Sequence, residues 1–189
     1  MGQKHGMLRA LERIIEQFAG EEVMRKIMEG SESIFEKTDA KTKARWMKGA
    51  MERLDKLVDE GTKLKIMENC GHNCAKMNKG AIEEAMARRK KFNTANEFLE
   101  AEQINPTKGT RLVREGDVLY QYYTPRSYGV RCYCEMVAAA EGEVSPTYCQ
   151  CSKGFVKTLW EAVLERPVEV EFIHSAISGA NECKFAIHI

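Results

Sequence analysis

Three pairs of cysteines stand at short spacing in this sequence. The stretches "RCYCEMV" at 131–137 and "YCQCSKG" at 148–154 each contain a Cys-x-Cys pair, and "CGHNC" at 70–74 contains a Cys-x-x-x-Cys pair. A seventh cysteine, Cys183, stands near the carboxyl end. Thiols at such spacing bind metals, act as nucleophiles or pack as small apolar side chains.

Two of the pairs are predicted in the sheet-forming part of the chain. Cys132 and Cys134 fall in a predicted strand, where alternate side chains share one face. Cys149 and Cys151 are expected at the end of an extended segment, just before a helix that begins near Ser152. The backbone at such a boundary can adjust to bring two sulfurs to one ion. Alternate residues of a regular strand are instead held about 6.5–7 Å apart at their α-carbons.

The third pair is predicted on a helix. Cys70 and Cys74 are four residues apart, so a helix places them on one face about one turn apart, and His72 then points elsewhere. Zinc takes four soft ligands, with sulfur at about 2.3 Å. We therefore expect two pairs to hold zinc or an iron–sulfur centre. The first-choice ligands are Cys70, Cys74, Cys149 and Cys151. Further candidate ligands are Cys132, Cys134 and Cys183.

Two other uses of the thiols stay open at this point. They are buried free thiols if they pack as small hydrophobic residues. Alternatively, one of them is a nucleophile, which requires a helix amino terminus or a nearby cation to lower the pKa of the thiol. Cys151 is the candidate for that role, because it precedes the predicted helix and Lys153 stands beside it.

A few polar side chains are candidates for binding a cofactor or a small anion. The segment "YYTPRSYGVR" at 122–131 places Arg126 and Arg131 around a Pro–Gly connection. Loops of this composition bind anions when their arginines converge, and the alternative is a purely structural turn. His174, in a late predicted strand, either lies at the surface or lines a site together with His188.

Composition and charge limit the class of protein. A chain of 189 residues with 43% hydrophobic residues is expected to form one domain. The net charge of +1 gives no reason to expect nucleic acid or an acidic membrane as a partner. The sequence lacks a secretory signal and any stretch near the roughly 20 apolar residues of a membrane span, which predicts a cytoplasmic location. Seven cysteines, an odd number, argue against a disulfide framework there.

The periodicity of apolar residues changes midway along the chain. It is helical up to about residue 104, where Thr94 and Glu97 form a capping-box pattern. After residue 110, short alternating strands follow, with a hairpin turn centred on Gly116 and a later helix around Phe155.

This order predicts an α+β fold. We expect a single domain over 1–189, in which a helical part at 1–104 packs on the antiparallel sheet and single helix of 110–189.

The helical part carries more apolar surface than one five-stranded sheet can cover. We therefore predict a homodimer through this half, since two-fold dimers are the commonest assemblies. Some of its large side chains, together with one from the later helix, either fill the core or line a pocket for a small-molecule ligand. These side chains are Trp46, Met47, Met51 and Trp160.

The closing segment from "YCQCSKGF" to "ECKFAIHI" resembles a known family over roughly the last 45 residues. Gly179, Cys183 and Phe185 match the Cys-x-x-x-Gly-x-x-x-Cys-x-Phe ending of vinyl-reductase-type small-molecule-binding domains, which are similar in fold to subunits of the TRAPP tethering complex. The segment is also similar to the related aminothiazoline-carboxylate hydrolases. The resemblance implies a helix-plus-antiparallel-sheet fold, often dimeric, with a small hydrophobic ligand or a metal. Ser175 replaces the cysteine that zinc-binding relatives use, so a metal site here is expected at the Cys-x-Cys pairs.

Two classes of function follow from these observations. The first is a cytoplasmic small-molecule- or metal-binding, sensor-like domain whose cysteine cluster holds zinc or an iron–sulfur centre. The alternative is a thiol- or metal-dependent hydrolase that acts on a small molecule, using Cys151 or a metal-bound water.

Overall fold

The structure, a computed structural model, describes residues 5–107, 109–123 and 131–189. Its amino-terminal half is helical and its carboxyl-terminal half contains a sheet and one long helix. The helices are α1 (Gly6–Ala19), α2 (Glu21–Ile27), α3 (Ala40–Leu57), α4 (Glu60–Met77), α5 (Lys79–Arg89), α6 (Ala95–Ile104) and α7 (Gln150–Leu164). The strands are β1 (Thr110–Glu115), β2 (Val118–Tyr123), β3 (Glu169–His174) and β4 (Cys183–His188). Short 3₁₀ helices lie at Ser31–Ser33, Pro146–Cys149 and Ala176–Ser178.

Side-chain caps define the starts of several helices. Asp39 and Asp59 each accept a hydrogen bond at 3.0 Å from the backbone N–H three residues further on, at the beginnings of α3 and α4. At α6, Thr94 and Glu97 form the predicted capping box. These contacts satisfy amide groups that the first turn of a helix leaves without partners.

The strands pair in the order β1-β2-β4-β3, and each neighbouring pair is antiparallel. Gly116 lies at the predicted hairpin turn between β1 and β2 with φ of 61°, a conformation that glycine adopts without strain. Helix α7 covers one sheet face, where Trp160 packs in a buried cluster with Leu119 and Phe185. The α+β prediction is therefore confirmed.

The predicted fifth strand at 131–137 is wrong. In this segment the carbonyl of Cys134 accepts the amides of Val137 and Ala138 at 3.1 and 2.9 Å, which makes a turn. Strand β2 is already bonded on one side to β1 and on the other to β4, so it has no free edge for this segment. Cys149 and Cys151 are also not extended, because the first ends a 3₁₀ helix and the second lies in the first turn of α7.

Helices α4 and α7 touch backbone to backbone. A Cβ added at Gly71 would lie 2.0 Å from the carbonyl oxygen of Cys151, and a Cβ at Gly154 would lie 2.2 Å from that of Glu68. Only glycine at both positions permits this approach, because real Cβ atoms do not come within 3.0 Å of such neighbours. The crossing brings Cys70 and the next turn of α4 against the start of α7.

None of the helices in the described ranges has the length and apolar character needed to cross a bilayer. The homodimer and the single-domain organisation stay predictions.

Candidate functional site

A cavity of about 530 Å³ lies among α1, α4, the turn after residue 131 and α7. Six of the seven cysteines line it, and we call it the thiol cavity. The lining cysteines are Cys70, Cys74, Cys132, Cys134, Cys151 and Cys183. Most of the remaining wall is apolar or aromatic, and it includes Met7, Ala10, Met77, Tyr123, Tyr133, Tyr148 and Phe155.

Each wall of the thiol cavity comes from a different part of the sequence. Cys70 and Cys74 share one face of α4 on successive turns, as predicted, and the crossing at Gly71 sets Cys151 of α7 against them. His72 points away from the cavity, also as predicted, and its Nδ1 lies 2.8 Å from the hydroxyl of Thr158 on α7. The cavity is therefore a product of tertiary packing.

Cys134 has polar partners inside the cavity. Its Sγ lies 2.9 Å from the hydroxyl of Tyr148 and 3.9 Å from Sδ of Met7. Burial raises the pKa of the Cys134 thiol, while hydrogen bonds from Tyr148 and from the backbone amide of Met136 oppose this rise. Tyr148 is fully enclosed, and burial raises the pKa of its hydroxyl well above the usual range.

The other thiols have fewer donors. Sγ of Cys74 accepts from the side-chain amide of Asn78 at 3.4 Å. Sγ of Cys132 accepts from the amide of Cys134, and Sγ of Cys183 accepts from that of Ala176, both at 3.4 Å. These are single contacts with neutral amide groups.

Burial keeps the thiols in their neutral form. It raises the pKa of Cys70 and of Cys132 to about 12, and that of Cys151 well above the usual range. The pKa values of Cys74 and Cys183 are raised for the same reason. Cys151 therefore lacks the lowered pKa that the nucleophile hypothesis requires, because desolvation outweighs its place at the start of α7.

A polar cluster closes one rim of the thiol cavity. His5 is buried, and its Nε2 lies 2.8 Å from a carboxylate oxygen of Glu135 and 3.6 Å from one of Glu36. Its Nδ1 accepts from the backbone amide of Met7 at 3.2 Å. Buried Lys43 also contacts Glu135 at 3.2 Å. The cluster ties the turn that carries Cys134 to the first and third helices.

A second cavity of about 300 Å³ adjoins the first and shares Ala81, Tyr123, Tyr133 and Phe155 with it. Here Trp160 donates a hydrogen bond of 2.7 Å to the side-chain oxygen of Gln121. The side chain of Gln121 also forms a hydrogen bond with the hydroxyl of Tyr123. The two cavities thus meet at an aromatic wall held by buried hydrogen bonds.

The predicted metal ligands do not all converge. Cys70, Cys74 and Cys151 line the thiol cavity, but Cys149 does not, since it faces Ser175 and Ser178. A metal site needs several ligand atoms from His, Cys, Asp or Glu close together. Among the described residues, one group of three has its ligand atoms within 4.8 Å of one another, and it consists of His5, Glu36 and Glu135. No such group in these ranges includes a cysteine.

Of the candidate residues for binding an anion or cofactor, Arg131 and His174 do not line the thiol cavity. Arg131 donates hydrogen bonds to the carbonyl oxygens of Ala140 and Gly142 at 3.2 and 2.8 Å, which holds the turn together. Arg126 lies outside the described residues. His174 lines a separate cavity of about 360 Å³ beside β3.

Sequence reasoning also missed part of the cavity wall. Met47 and Met51 are fully buried in the helical core, in agreement with the core-packing alternative, and Trp160 lines the second cavity. Tyr148 and Met7 were not singled out, although both contact Cys134. Tyr148 stands directly before Cys149 in the sequence, and this proximity to a thiol pair was the available signal.

The fold places the chain among H-NOX-like structures. A mutant H-NOX protein from K. algicida in the unliganded Fe(II) state matches with a TM-score of 0.50 at 14% identity, over 96% of this chain and 94% of that one. The NMR structure of an H-NOX domain from Shewanella oneidensis in the Fe(II)CO state matches with a TM-score of 0.50 at 11% identity, over 100% and 98%. A structure from work on haem distortion in the H-NOX family matches with a TM-score of 0.47 at 10% identity, over 99% of this chain and 95% of that one. These neighbours are haem-binding domains.

The family is shown by a direct sequence match. A family described as a family of unknown function (DUF6144) matches residues 7–189, and the chain belongs to it. No curated protein matches the sequence.

These matches correct three expectations. The structural similarity is to H-NOX domains and extends over nearly the whole chain. The resemblance of the carboxyl-terminal segment to vinyl-reductase-type, TRAPP-like or hydrolase families was therefore the wrong assignment. The prediction of zinc or an iron–sulfur centre in a cysteine cluster is also wrong, because the structural neighbours bind haem. The hydrolase alternative falls with it.

Proposed function

We propose that this chain is a haem-binding, ligand-sensing domain and that the thiol cavity holds the haem. The observation that carries the proposal is an apolar cavity of about 530 Å³, lined by sulfur and phenol groups, within an H-NOX-like fold. Ligand cavities in proteins span about 300–1,000 Å³ and are mostly apolar. The size of the thiol cavity is therefore suitable for one organic cofactor.

The chemistry of the wall is compatible with a large aromatic macrocycle. Because burial keeps the thiols neutral, the sulfurs act as polarisable apolar groups rather than as buried charges. Met7, Met77 and Phe155 would supply apolar contacts to the ring. Haem iron is held in proteins by His, Cys thiolate, Met or Tyr, and each of these residue types lines the cavity.

When bound, the haem would supply an iron with a coordination position for a small gas. The CO-bound state of the Shewanella domain is a precedent for such a ligand. The protein's own part is to exclude water from the cavity and to provide the iron ligand. The rim cluster of His5, Glu135 and Lys43 would hold the turn closed over the bound group.

A titration of the purified apoprotein with haemin tests the proposal. We expect a Soret absorption band that saturates at one haem per chain. In the variant Ala81→Trp, the indole would fill space at the junction of the two cavities, and we expect at least a tenfold loss of haem affinity, about 1.4 kcal/mol. Ala81 is exposed, so the variant is expected to fold.

The matched control is Ala87→Trp, on the same helix. Ala87 is exposed and does not line either of the two cavities. This variant should bind haem as the unchanged protein does. Equal affinity in both variants would place any haem outside the thiol cavity, and a titration without a saturable Soret band would refute haem binding itself.

We also propose three further properties that the sequence predicts. They are a homodimer through the helical half, a cytoplasmic location, and the absence of nucleic acid or a membrane among the partners. The near-zero net charge supports the last of these.

A further inference from the structure

We propose that Cys134 is the axial ligand of the haem iron and that the Tyr148 hydroxyl is its positioning partner. The inference rests on the proposed haem function and names a sulfur ligand. The reasons are the engagement of the histidines, the hydrogen-bond donors around each thiol, and the position of Cys134 in a turn.

Histidine is poorly placed for the role. His5 is the histidine that lines the thiol cavity, and its two ring nitrogens are engaged by Glu135 at 2.8 Å and by the amide of Met7 at 3.2 Å. His72 contacts Thr158 and does not line the cavity. His174 lines a different cavity, and His188 is exposed and paired with Glu171.

Among the cavity thiols, Cys134 has the best-prepared environment for a thiolate. A metal-bound thiolate carries negative charge that hydrogen-bond donors stabilise. The Tyr148 hydroxyl lies 2.9 Å from Sγ of Cys134, closer than the amide donors at 3.4 Å to the sulfurs of Cys132 and Cys183. Sγ of Cys74 has one amide donor at 3.4 Å, that of Asn78.

The position of Cys134 in the backbone also favours it. Cys70, Cys74 and Cys151 lie on two helices whose backbones are in contact, so their α-carbons cannot shift without disturbing that crossing. Cys134 is half-buried and lies in the turn after residue 131. A turn can adjust by the small distance that bond formation requires.

Ligation would replace the thiol proton of Cys134 with the iron. The S–H bond of Cys134 breaks, its proton leaves to water at the cavity rim, and a bond forms between Sγ and ferric iron. The iron keeps its oxidation state, and no electron donor or acceptor is needed. The thiolate charge offsets the single positive charge of the ferric porphyrin core, so the buried unit is close to neutral.

The spectrum of the haem complex tests the inference. Haemin would be bound to the full chain and to three variants, Cys134→Ser, Cys74→Ser and Tyr148→Phe. We expect the unchanged protein to show the electron paramagnetic resonance and magnetic circular dichroism of a ferric thiolate complex, and a ferrous CO complex with a red-shifted Soret band. Cys134→Ser should lose these signatures, whereas Cys74→Ser, a matched cavity thiol on α4, should keep them.

The variant Tyr148→Phe tests whether the Tyr148 hydroxyl positions the thiolate through a hydrogen bond or whether the ring only packs beside it. It should keep the thiolate signature but lower the reduction potential of the iron, because a hydrogen bond to the thiolate favours the reduced state. If Cys134→Ser unfolds, Cys134→Ala provides the second test of ligand loss.

Each other outcome is decisive. Loss of the thiolate signature in Cys74→Ser but not in Cys134→Ser would assign the ligand to Cys74 and overturn the inference. A haem complex without any thiolate signature would overturn it while the proposed haem function stands. A protein that binds no haem would overturn both.

Discussion

The crossing of α4 and α7 provides the most quantitative test of how the fold positions the cavity. Substitution of Gly71 by alanine would put a Cβ 2.0 Å from the carbonyl oxygen of Cys151 and 2.8 Å from the α-carbon of Gly154. Ordinary contact begins at 3.4 Å, so the first distance is about 1.4 Å too short. Because the neighbours are backbone atoms, no side-chain rotation can relieve the clash, and the helices must separate.

The energy can be estimated from two opposing effects. Overpacking a core typically costs about 1–3 kcal/mol, and a clash against backbone belongs at the upper end or above. Alanine recovers about 1 kcal/mol relative to glycine in a helix interior. The expected net loss for Gly71→Ala is therefore about 2 kcal/mol, or a fall in Tm of about 4–8 °C for a chain of this size.

Urea unfolding followed by circular dichroism measures this loss directly. The matched control is Gly61→Ala on the same helix, where the nearest atom to the new Cβ is a carboxylate oxygen of Asp59 at 3.5 Å. The control should be neutral or more stable by up to about 1 kcal/mol. If Gly71→Ala proves as stable as Gly61→Ala, the close contact of α4 and α7 is not as described, and the placement of Cys70 and Cys151 falls with it.

Three further predictions concern other parts of the molecule. Hydrogen bonding by His5, together with Lys43, lowers the pKa of Glu135, so this carboxylate stabilises the fold above its unfolded pKa near 4.5 and loses that effect as pH falls through the lower folded value. Glu135→Gln should therefore be less stable than the unchanged protein at pH 7, and this difference should shrink as the pH falls below 4.5; a stability difference that stays constant over this range would contradict the pairing. Thr94→Ala removes the cap of α6 and should cost about 1 kcal/mol in urea unfolding, whereas a cost near zero would mean that the capping box contributes nothing. Light scattering should give the mass of a dimer, and a monomer mass over a wide concentration range would remove the dimer prediction.

Local patterns in the sequence predicted the elements well. Thr94 and Glu97 carry an unambiguous capping signal, and Gly116 marks a hairpin turn, because both depend on residues within a few positions of each other. Burial alternates along β3, where Val170 is buried between exposed Glu169 and Glu171, as a two-residue period predicts, whereas β4 buries Phe185, Ala186 and Ile187 in succession. Such signals do not depend on distant parts of the chain.

The candidate site was harder to predict because tertiary packing creates it. Cys132 and Cys134 have the two-residue spacing of a strand, but a turn can carry the same spacing, and the backbone hydrogen bonds to the Cys134 carbonyl make this segment a turn. Met7 and Tyr148 are far apart in sequence, and each reads as an ordinary core residue until the fold brings both to Cys134. The H-NOX likeness itself was beyond sequence reasoning, since the neighbours share only 14% and 11% identity with this chain.

The haem content of the reconstituted protein decides whether this chain binds haem in the thiol cavity. The apoprotein would be mixed with excess haemin, passed through a gel-filtration column, and assayed for haem by the pyridine haemochrome method and for protein by amino-acid analysis. We predict one tightly held haem per chain in the unchanged protein and a clear loss from Ala81→Trp. A column fraction that carries protein without haem would mean that the chain does not bind haem.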